Sequence, residues 1–198
     1  MTNSITTLLG VAFAAGLNVY ATVLALAAMH RFDIIHLPAS MTPLASTPVM
    51  IAAGMLYAVE FVADKIQVVD SIWDVIHTFI RIPAGAVIAA TAFGDFDLSI
   101  QVIALLVCGG LAASSHGTKA ATRALINTSP EPFSNIAASV VEDVLVVVSI
   151  LVAAFLPVLV FVLIGAGLAF SIWILPRVIR FFRQVGRRIR RLFNPAPA

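Results

Sequence analysis

Charged residues are scarce in this chain. Only 11% of its 198 residues are Asp, Glu, Lys or Arg, whereas 61% are hydrophobic and the mean hydropathy is +1.04. Soluble globular domains carry about 25% charged residues, because their surfaces face water. The shortage excludes an ordinary water-soluble domain, and the length leaves no room for a separate soluble catalytic domain beside the apolar segments.

Cysteine and the common catalytic motifs are also scarce. Cys108 is the single cysteine and lies inside an apolar run, which excludes a disulfide framework and a thiolate metal site. The sequence contains no H-E-x-x-H zinc motif and no G-x-x-x-x-G-K-[ST] phosphate loop. We therefore expect no enzyme activity, no cofactor and no nucleic-acid partner.

Long apolar segments occupy most of the chain. A helix needs about 20 apolar residues to cross a bilayer core, so the chain has room for about six spans. We predict an all-α, polytopic integral membrane helix bundle over residues 1–176, followed by a basic amphipathic tail over 177–198. The predicted spans cover residues 4–29, 48–66, 70–93, 98–113, 136–155 and 158–175.

Basic residues indicate the orientation, because Lys and Arg resist translocation across the membrane. With both termini in the cytoplasm, Arg31 is the only one of the 12 Lys and Arg residues that lies outside. We expect a multi-pass protein of a bacterial-type inner membrane. The tail arginines suit a helix that lies against anionic lipid headgroups, although a plain topology anchor is the alternative. A homo-oligomer is left open.

The two halves of the chain show a weak internal similarity. At an offset of 82 residues, Ser46-Thr47-Pro48 aligns with Thr128-Ser129-Pro130, and Val59-Glu60 aligns with Val141-Glu142. An odd number of spans per repeat inverts the second repeat, so repeats over about 4–93 and 98–176 predict a 3+3 inverted arrangement with broken or re-entrant helices. Glu60 and Glu142 would then approach the midplane from opposite sides. Chance similarity between small apolar helices is the alternative.

Acidic residues inside predicted spans are the first functional candidates. A charge at the bilayer centre costs at least about 2.5–3.5 kcal/mol, so such a residue indicates a functional site unless it has a partner. Glu60, Asp64, Glu142 and Asp143 could bind a cation or a proton. Alternatively, Glu60 or Glu142 pairs with a Lys or Arg and only locks helix packing. Asn18, a polar residue inside the first span, should face protein.

The most polar stretch between spans, residues 114–133, contains His116, Lys119 and Arg123 on one helical face and ends in a turn with Glu131. If this stretch re-enters the membrane, its cations would meet an anionic headgroup or substrate. If it lies in the cytoplasm, it is an ordinary positive-inside loop.

A third polar face follows the second predicted span. Asp70, Asp74 and His77 have i, i+4, i+7 spacing, and Arg81 comes one turn later. This spacing is compatible with a divalent metal, but it is also typical of an interfacial helix anchored by Trp73. Metal binding is left undecided, as is the choice between one continuous helix and an interfacial helix followed by a half-span.

Most of the chain resembles a known family. The likeness rests on GLNxYAT from Gly16, EFVADKI from Glu60, DSIWD from Asp70, HTFIR from His77, PAG from Pro83, HGxKA from His116, RA from Arg123, NTSPEP from Asn127 and ED from Glu142. Through these motifs the sequence resembles the bacterial "domain of unknown function" 4126 family, as far as the sixth span. The resemblance implies a multi-span membrane protein and no particular activity.

These patterns predict a small secondary transporter or translocase. Glu60 and Glu142 would couple to protons or cations, and Lys119 with Arg123 would engage an anionic group such as a lipid-phosphate headgroup. A non-transporting scaffold or assembly factor is the alternative, and a cation channel is a further one. The predicted pathway residues are Asn18, Glu60, Asp64, His116, Lys119, Arg123, Glu131, Glu142 and Asp143, with Asp70, Asp74, His77 and Arg81 as secondary candidates.

Overall fold

The computed structural model describes residues 5–94, 96–129 and 131–193, and these residues form helices and turns with no strand among them. The all-α fold is confirmed. In chain order the elements are α1 (Ile5–Leu17), α2 (Val19–Arg31), a 3₁₀ helix (Ala39–Ala45), α3 (Thr47–Ala63), α4 (Gln67–Ala92), α5 (Leu98–Ile126), α6 (Phe133–Phe155) and α7 (Pro157–Phe193).

Four of these helices are long and apolar enough to cross a membrane: α4, α5, α6 and the part of α7 from Pro157 to Arg187. The 3₁₀ helix and α3 meet at 58° and count as a fifth candidate if together they form one broken span. Large apolar side chains such as Phe79 and Ile103 are exposed on the outer faces, as expected for helices that contact lipid. The six-span count and the inverted repeat stay predictions, and Pro130 of the repeat alignment lies outside the described residues.

The predicted first span, residues 4–29, is not one continuous helix, because Asn18 separates α1 from α2. Its backbone is extended (φ −154°, ψ 104°), and its side-chain Oδ1 accepts a hydrogen bond from the N–H of Ala21 at 2.9 Å. Asn competes in this way for backbone donors and therefore favours helix N-caps over helix interiors. At 13 residues, α1 is only about 20 Å long, which is too short to span a bilayer alone.

The helix that contains the predicted fourth span does not end at residue 113. Helix α5 continues to Ile126, so most of the polar stretch 114–133 is neither a re-entrant loop nor a cytoplasmic loop. The structure also decides between the two alternatives for residues 70–93, because α4 is continuous and contains Pro83. Likewise α7 continues through Pro176, so the basic tail begins as the last part of this helix.

Helix α1 lies at the centre of the bundle and packs against α4, α5, α6 and α7. Its small residues allow this close approach, since Ala12, Ala14 and Ala15 are fully buried. Gly16 faces the backbone of α5 at Ala112. Helices α4 and α5 pack against each other along their length. The first half of α4 therefore lies beside the second half of α5.

We expect Gly16→Ala to destabilise the protein. A Cβ atom at Gly16 would lie 2.0 Å from the Ser115 Oγ and 2.3 Å from the Ala112 carbonyl oxygen, so backbone must move, at a cost of about 1–3 kcal/mol. Gly110→Ala is the matched control, because its added Cβ would meet nothing within 4 Å. Thermal unfolding in a nonionic detergent measures both, and an unchanged Tm for Gly16→Ala would contradict the close packing of α1 on α5.

Candidate functional site

Polar side chains lie on one face of each of four neighbouring helices, with i, i+3 and i+4 spacing that places them in line. Because the rest of each helix is apolar, these faces turn toward protein and away from lipid. The residues are Glu60 and Asp64 at the end of α3, Asp70, Asp74, His77 and Arg81 on α4, His116, Lys119 and Arg123 on α5, and Asn135, Ser139 and Glu142 on α6.

The charged members of these faces form one connected set, which we name the buried ion network. Its members are Glu60, Asp64, Asp70, Asp74, Arg81, Lys119, Arg123 and Glu142. All of their side chains are nearly inaccessible to solvent, and the most exposed of them, Glu142, is 14% accessible.

Arg81 joins α4 to α3 and α5. One terminal nitrogen lies 2.5 Å from Glu60 Oε1, and the other lies 3.1 Å from both Asp74 Oδ1 and His116 Nδ1. A guanidinium group can only donate, so His116 Nδ1 accepts and the imidazole carries its proton on Nε2. That nitrogen then donates to the Thr78 hydroxyl at 2.8 Å. His116 is therefore a neutral member of the site.

Lys119 lies between three carboxylates from two other helices. Its Nζ is 2.7 Å from Asp64 Oδ2, 3.5 Å from Glu142 Oε2 and 3.7 Å from Glu60 Oε1. Glu60 and Glu142, which align in the predicted repeat, thus face the same ammonium group.

Arg123 connects the start of α6 to the end of α3. Its Nε and one terminal nitrogen bind both oxygens of Glu142, at 2.7–3.1 Å. The other terminal nitrogen donates to the Asn135 side chain at 2.6 Å and to the Asp64 carbonyl at 3.2 Å. The planar fork of Arg suits such bidentate contacts, and a Lys side chain cannot reproduce them.

The network contains five carboxylates and three cations, so acids exceed bases by two. Lys65 and Asp143 lie beside it and contribute one charge of each sign, which leaves the difference unchanged.

Several carboxylate oxygens also have no hydrogen-bond partner. Glu60 Oε2, Asp64 Oδ1, Asp70 Oδ1 and Asp74 Oδ2 are buried and unpaired. Unneutralised buried charges are very costly, so protons or a bound cation must balance this excess.

His77 lies beside the unpaired oxygen of Glu60. Its Nδ1 lies 2.9 Å from the Trp73 carbonyl and must donate to it. Its Nε2 is therefore the acceptor for the Tyr20 hydroxyl at 3.2 Å, and it lies 4.0 Å from the unpaired Oε2 of Glu60. At this distance the imidazole and the carboxylate are neighbours without a direct hydrogen bond between them.

The structure places three of the predicted pathway residues elsewhere. Asn18 caps α2, and Asp143 lies at the edge of the network beside Lys65. Glu131 lies in the turn before α6 and accepts hydrogen bonds from the N–H groups of Phe133 and Ser134. Its contacts with the Ser134 side chain and with these backbone groups hold the pKa of Glu131 below its ordinary value.

The possible metal site on α4 is not assembled. Asp74 faces Arg81, and Asp70 accepts a hydrogen bond from Asn127 at 2.7 Å. Within the described ranges, no group of three or more His, Cys, Asp or Glu side chains is placed to hold a metal ion.

Two asparagines belong to the site although the sequence prediction did not include them. Asn135 binds Arg123, and Asn127 binds Asp70. The signal for Asn135 was present, because Asn135, Ser139 and Glu142 have i, i+4, i+7 spacing. The predicted span began at residue 136, which excluded Asn135.

A family profile described as "Domain of unknown function (DUF4126)" matches residues 5–177. The chain belongs to this family. The resemblance found from the sequence motifs is thereby confirmed, and every member of the buried ion network lies inside the matched range. No curated protein and no solved structure matches the chain. The chemistry of this DUF4126 member must therefore be inferred from the site itself.

We expect Arg123→Lys to destabilise the protein by about 1.5–3 kcal/mol, because Lys keeps the charge but loses the bidentate contact with Glu142 and the bond to Asn135. Arg187→Lys is the control, since Arg187 is exposed on α7. Chemical or thermal unfolding of both variants in detergent measures the difference. Equal stability of the two variants would argue against a structural role for this fork.

Proposed function

We propose that the protein is a small membrane transporter whose transport is coupled to protons or cations, and that the buried ion network is the coupling site. The observation that carries this proposal is the excess of two carboxylates among buried and mutually contacting charges. A network that served packing alone would be most stable with equal numbers of acids and bases. Protons or another cation must balance such an excess, and a coupled transporter is a protein that binds and releases charges of this kind.

Glu60 is the best candidate for the coupling residue. It is fully buried, it contacts Arg81 on α4 and Lys119 on α5, and its second oxygen faces His77. A proton on Glu60 weakens its attraction to both cations. The protonation state therefore changes how strongly α3 is held against α4 and α5, and this is how charge binding biases a conformational equilibrium.

Two interrupted helices support a transport role. The break at Asn18 separates α1 from α2, and the 3₁₀ helix meets α3 at 58°. Discontinuous helices near buried polar groups are a recurring feature of secondary transporters. Tyr20, two residues after the first break, contacts His77 and so connects α2 to the network.

The predicted anionic substrate has less support than the coupling ion. Lys119 and Arg123 are each already surrounded by acidic or carbonyl oxygens. Neither offers a free donor surface to a phosphate group.

A scaffold is the second candidate function, and the contacts of Arg123 favour it, because they hold α3, α5 and α6 together. In a scaffold, neutralising Glu60 would lower stability without affecting any flux.

We also propose a bacterial-type inner membrane as the location, with both termini in the cytoplasm and anionic lipid headgroups as partners of the basic end of α7. Trp173 supports a membrane boundary at this level, because the Arg177 guanidinium lies 4.0 Å above its ring and donates to its carbonyl oxygen. Trp and Arg are typical of the interface between bilayer and cytoplasm.

For the transport proposal, we expect Glu60→Gln to abolish coupled proton movement, because Gln keeps the shape and the contact with Arg81 but cannot exchange a proton. Proteoliposomes with a lumenal pH dye are energised by a potassium diffusion potential, with and without a small-molecule cell extract outside. The extract-dependent change in lumenal pH should fall to the level of empty liposomes. Glu131→Gln should retain it, since Glu131 lies outside the network.

A wild-type protein that is indistinguishable from empty liposomes would count against transport. A Glu60→Gln protein that loses stability while flux is unchanged would instead favour the scaffold.

For the orientation, we expect a cysteine at position 187 to react with a membrane-impermeant maleimide only after cells are permeabilised. A cysteine at position 32 should react in intact spheroplasts. Cys108 is buried and gives little background, and Phe32 and Arg187 are exposed. Labelling of Arg187→Cys in intact spheroplasts would contradict a cytoplasmic C-terminus.

A further inference from the structure

A half-open cavity of about 590 Å³ lies between α1, α5, α6 and α7, beside Lys119 and Glu142 of the buried ion network, and wall residues such as Leu145 and Phe170 are partly exposed on the outer surface. Most of its wall is apolar and includes Phe13, Leu145, Val152, Leu163 and Phe170. Pockets of about 300–1,000 Å³ with such walls hold one small organic molecule. The cavity is thus large enough for a hydrophobic ligand.

One end of the cavity is polar. Lys119 and Glu142 are the charged residues in the described lining, and Thr118, Thr122 and Ser171 add hydroxyl groups. The Thr122 hydroxyl is buried and has no hydrogen-bond partner. The Glu142 side chain is 14% exposed and that of Lys119 is 1% exposed. The carboxylate is therefore the charge that a ligand would meet first.

The sign of this polar end is negative. Lys119 already contacts Asp64, Glu60 and Glu142, and the network behind it has two carboxylates in excess. An anion in the cavity would face this excess, whereas a cation would reduce it. The apolar wall would at the same time bind the hydrophobic part of the ligand.

We propose that the cavity binds a hydrophobic organic cation, and that the positive charge of this cation replaces a proton on the buried ion network. This substrate class rests on the proposed transport function. When the cation binds, a network carboxylic acid releases its proton to water and the total charge of the site stays constant. Protons and the cation therefore compete, and each lowers the affinity for the other by the same factor.

Several groups face this exchange site and set its charge. They are Tyr20 on α2, Glu60, Asp64 and Lys65 at the end of α3, Asp70, Asp74, His77 and Arg81 on α4, His116, Lys119 and Arg123 on α5, and Glu142 and Asp143 on α6.

The test uses two probe ions of the same shape and opposite charge, tetraphenylphosphonium and tetraphenylborate. Equilibrium dialysis of the radiolabelled ions is carried out on the full chain in a nonionic detergent. We expect saturable binding of the phosphonium and none of the borate. Phosphonium affinity should be higher at about pH 8.5 than at about pH 6.5, by about tenfold per pH unit if one proton is released.

Variants separate the cavity from the network. Ala166→Trp places a large ring in the lining and should abolish phosphonium binding, whereas Leu168→Trp, on the same helix outside the lining, should not. Glu142→Gln should weaken binding by about tenfold or more and flatten its pH dependence. Size-exclusion profiles and Tm values show whether each variant is folded.

Equal binding of both ions, or an Ala166→Trp protein that still binds phosphonium, would overturn the proposal and leave a groove that only faces lipid. Proton flux without phosphonium binding would refute this substrate class and leave the transport proposal intact. Phosphonium binding without proton flux would refute the transport proposal and leave the ligand site intact, because equilibrium dialysis measures binding without any transport.

Discussion

Lys119 is the charge around which the site is organised. Its ammonium group is buried among the carboxylates of Glu60, Asp64 and Glu142, so any separation of α3 or α6 from α5 would leave a charge unpaired in an apolar medium. Breaking a buried ion pair in this way costs about 3–5 kcal/mol. The helices thus cannot move independently while the network keeps its charge. Under the proposed transport function, a change in that charge would allow them to move.

Close packing of α1 makes this arrangement possible. Small residues let α1 approach α5 closely, since Gly16 faces Ala112 and no Cβ atom fits between them. Asn18 then ends α1 and caps α2, and Tyr20 of α2 contacts His77. Glu142 of the network also lines the cavity between α1, α5, α6 and α7, so the proposed coupling ion and ligand would share one location.

Much of the site could be predicted from the sequence because intramembrane polar residues are rare and each one is informative. Glu60 and Glu142 were identified in this way, and Lys119 with Arg123 as a basic helical face in the polar stretch between two spans. The structure brings all four together. The helix boundaries were harder to predict from the sequence. Polar residues at 114–126 resembled a loop between spans, whereas they form a buried helical face, because partners on three other helices satisfy them.

The sequence alone therefore determined the class of the protein, the helical faces and the identity of the charged residues, since hydropathy and i, i+3, i+4 spacing are local properties of the chain. Only the tertiary structure decided that Arg81 pairs with Glu60, that Arg123 pairs with Glu142, and that two carboxylates are left over. These choices depend on distances between helices, which arise from the packing of small residues such as Gly16 on neighbours far away in sequence. No local pattern contains that information.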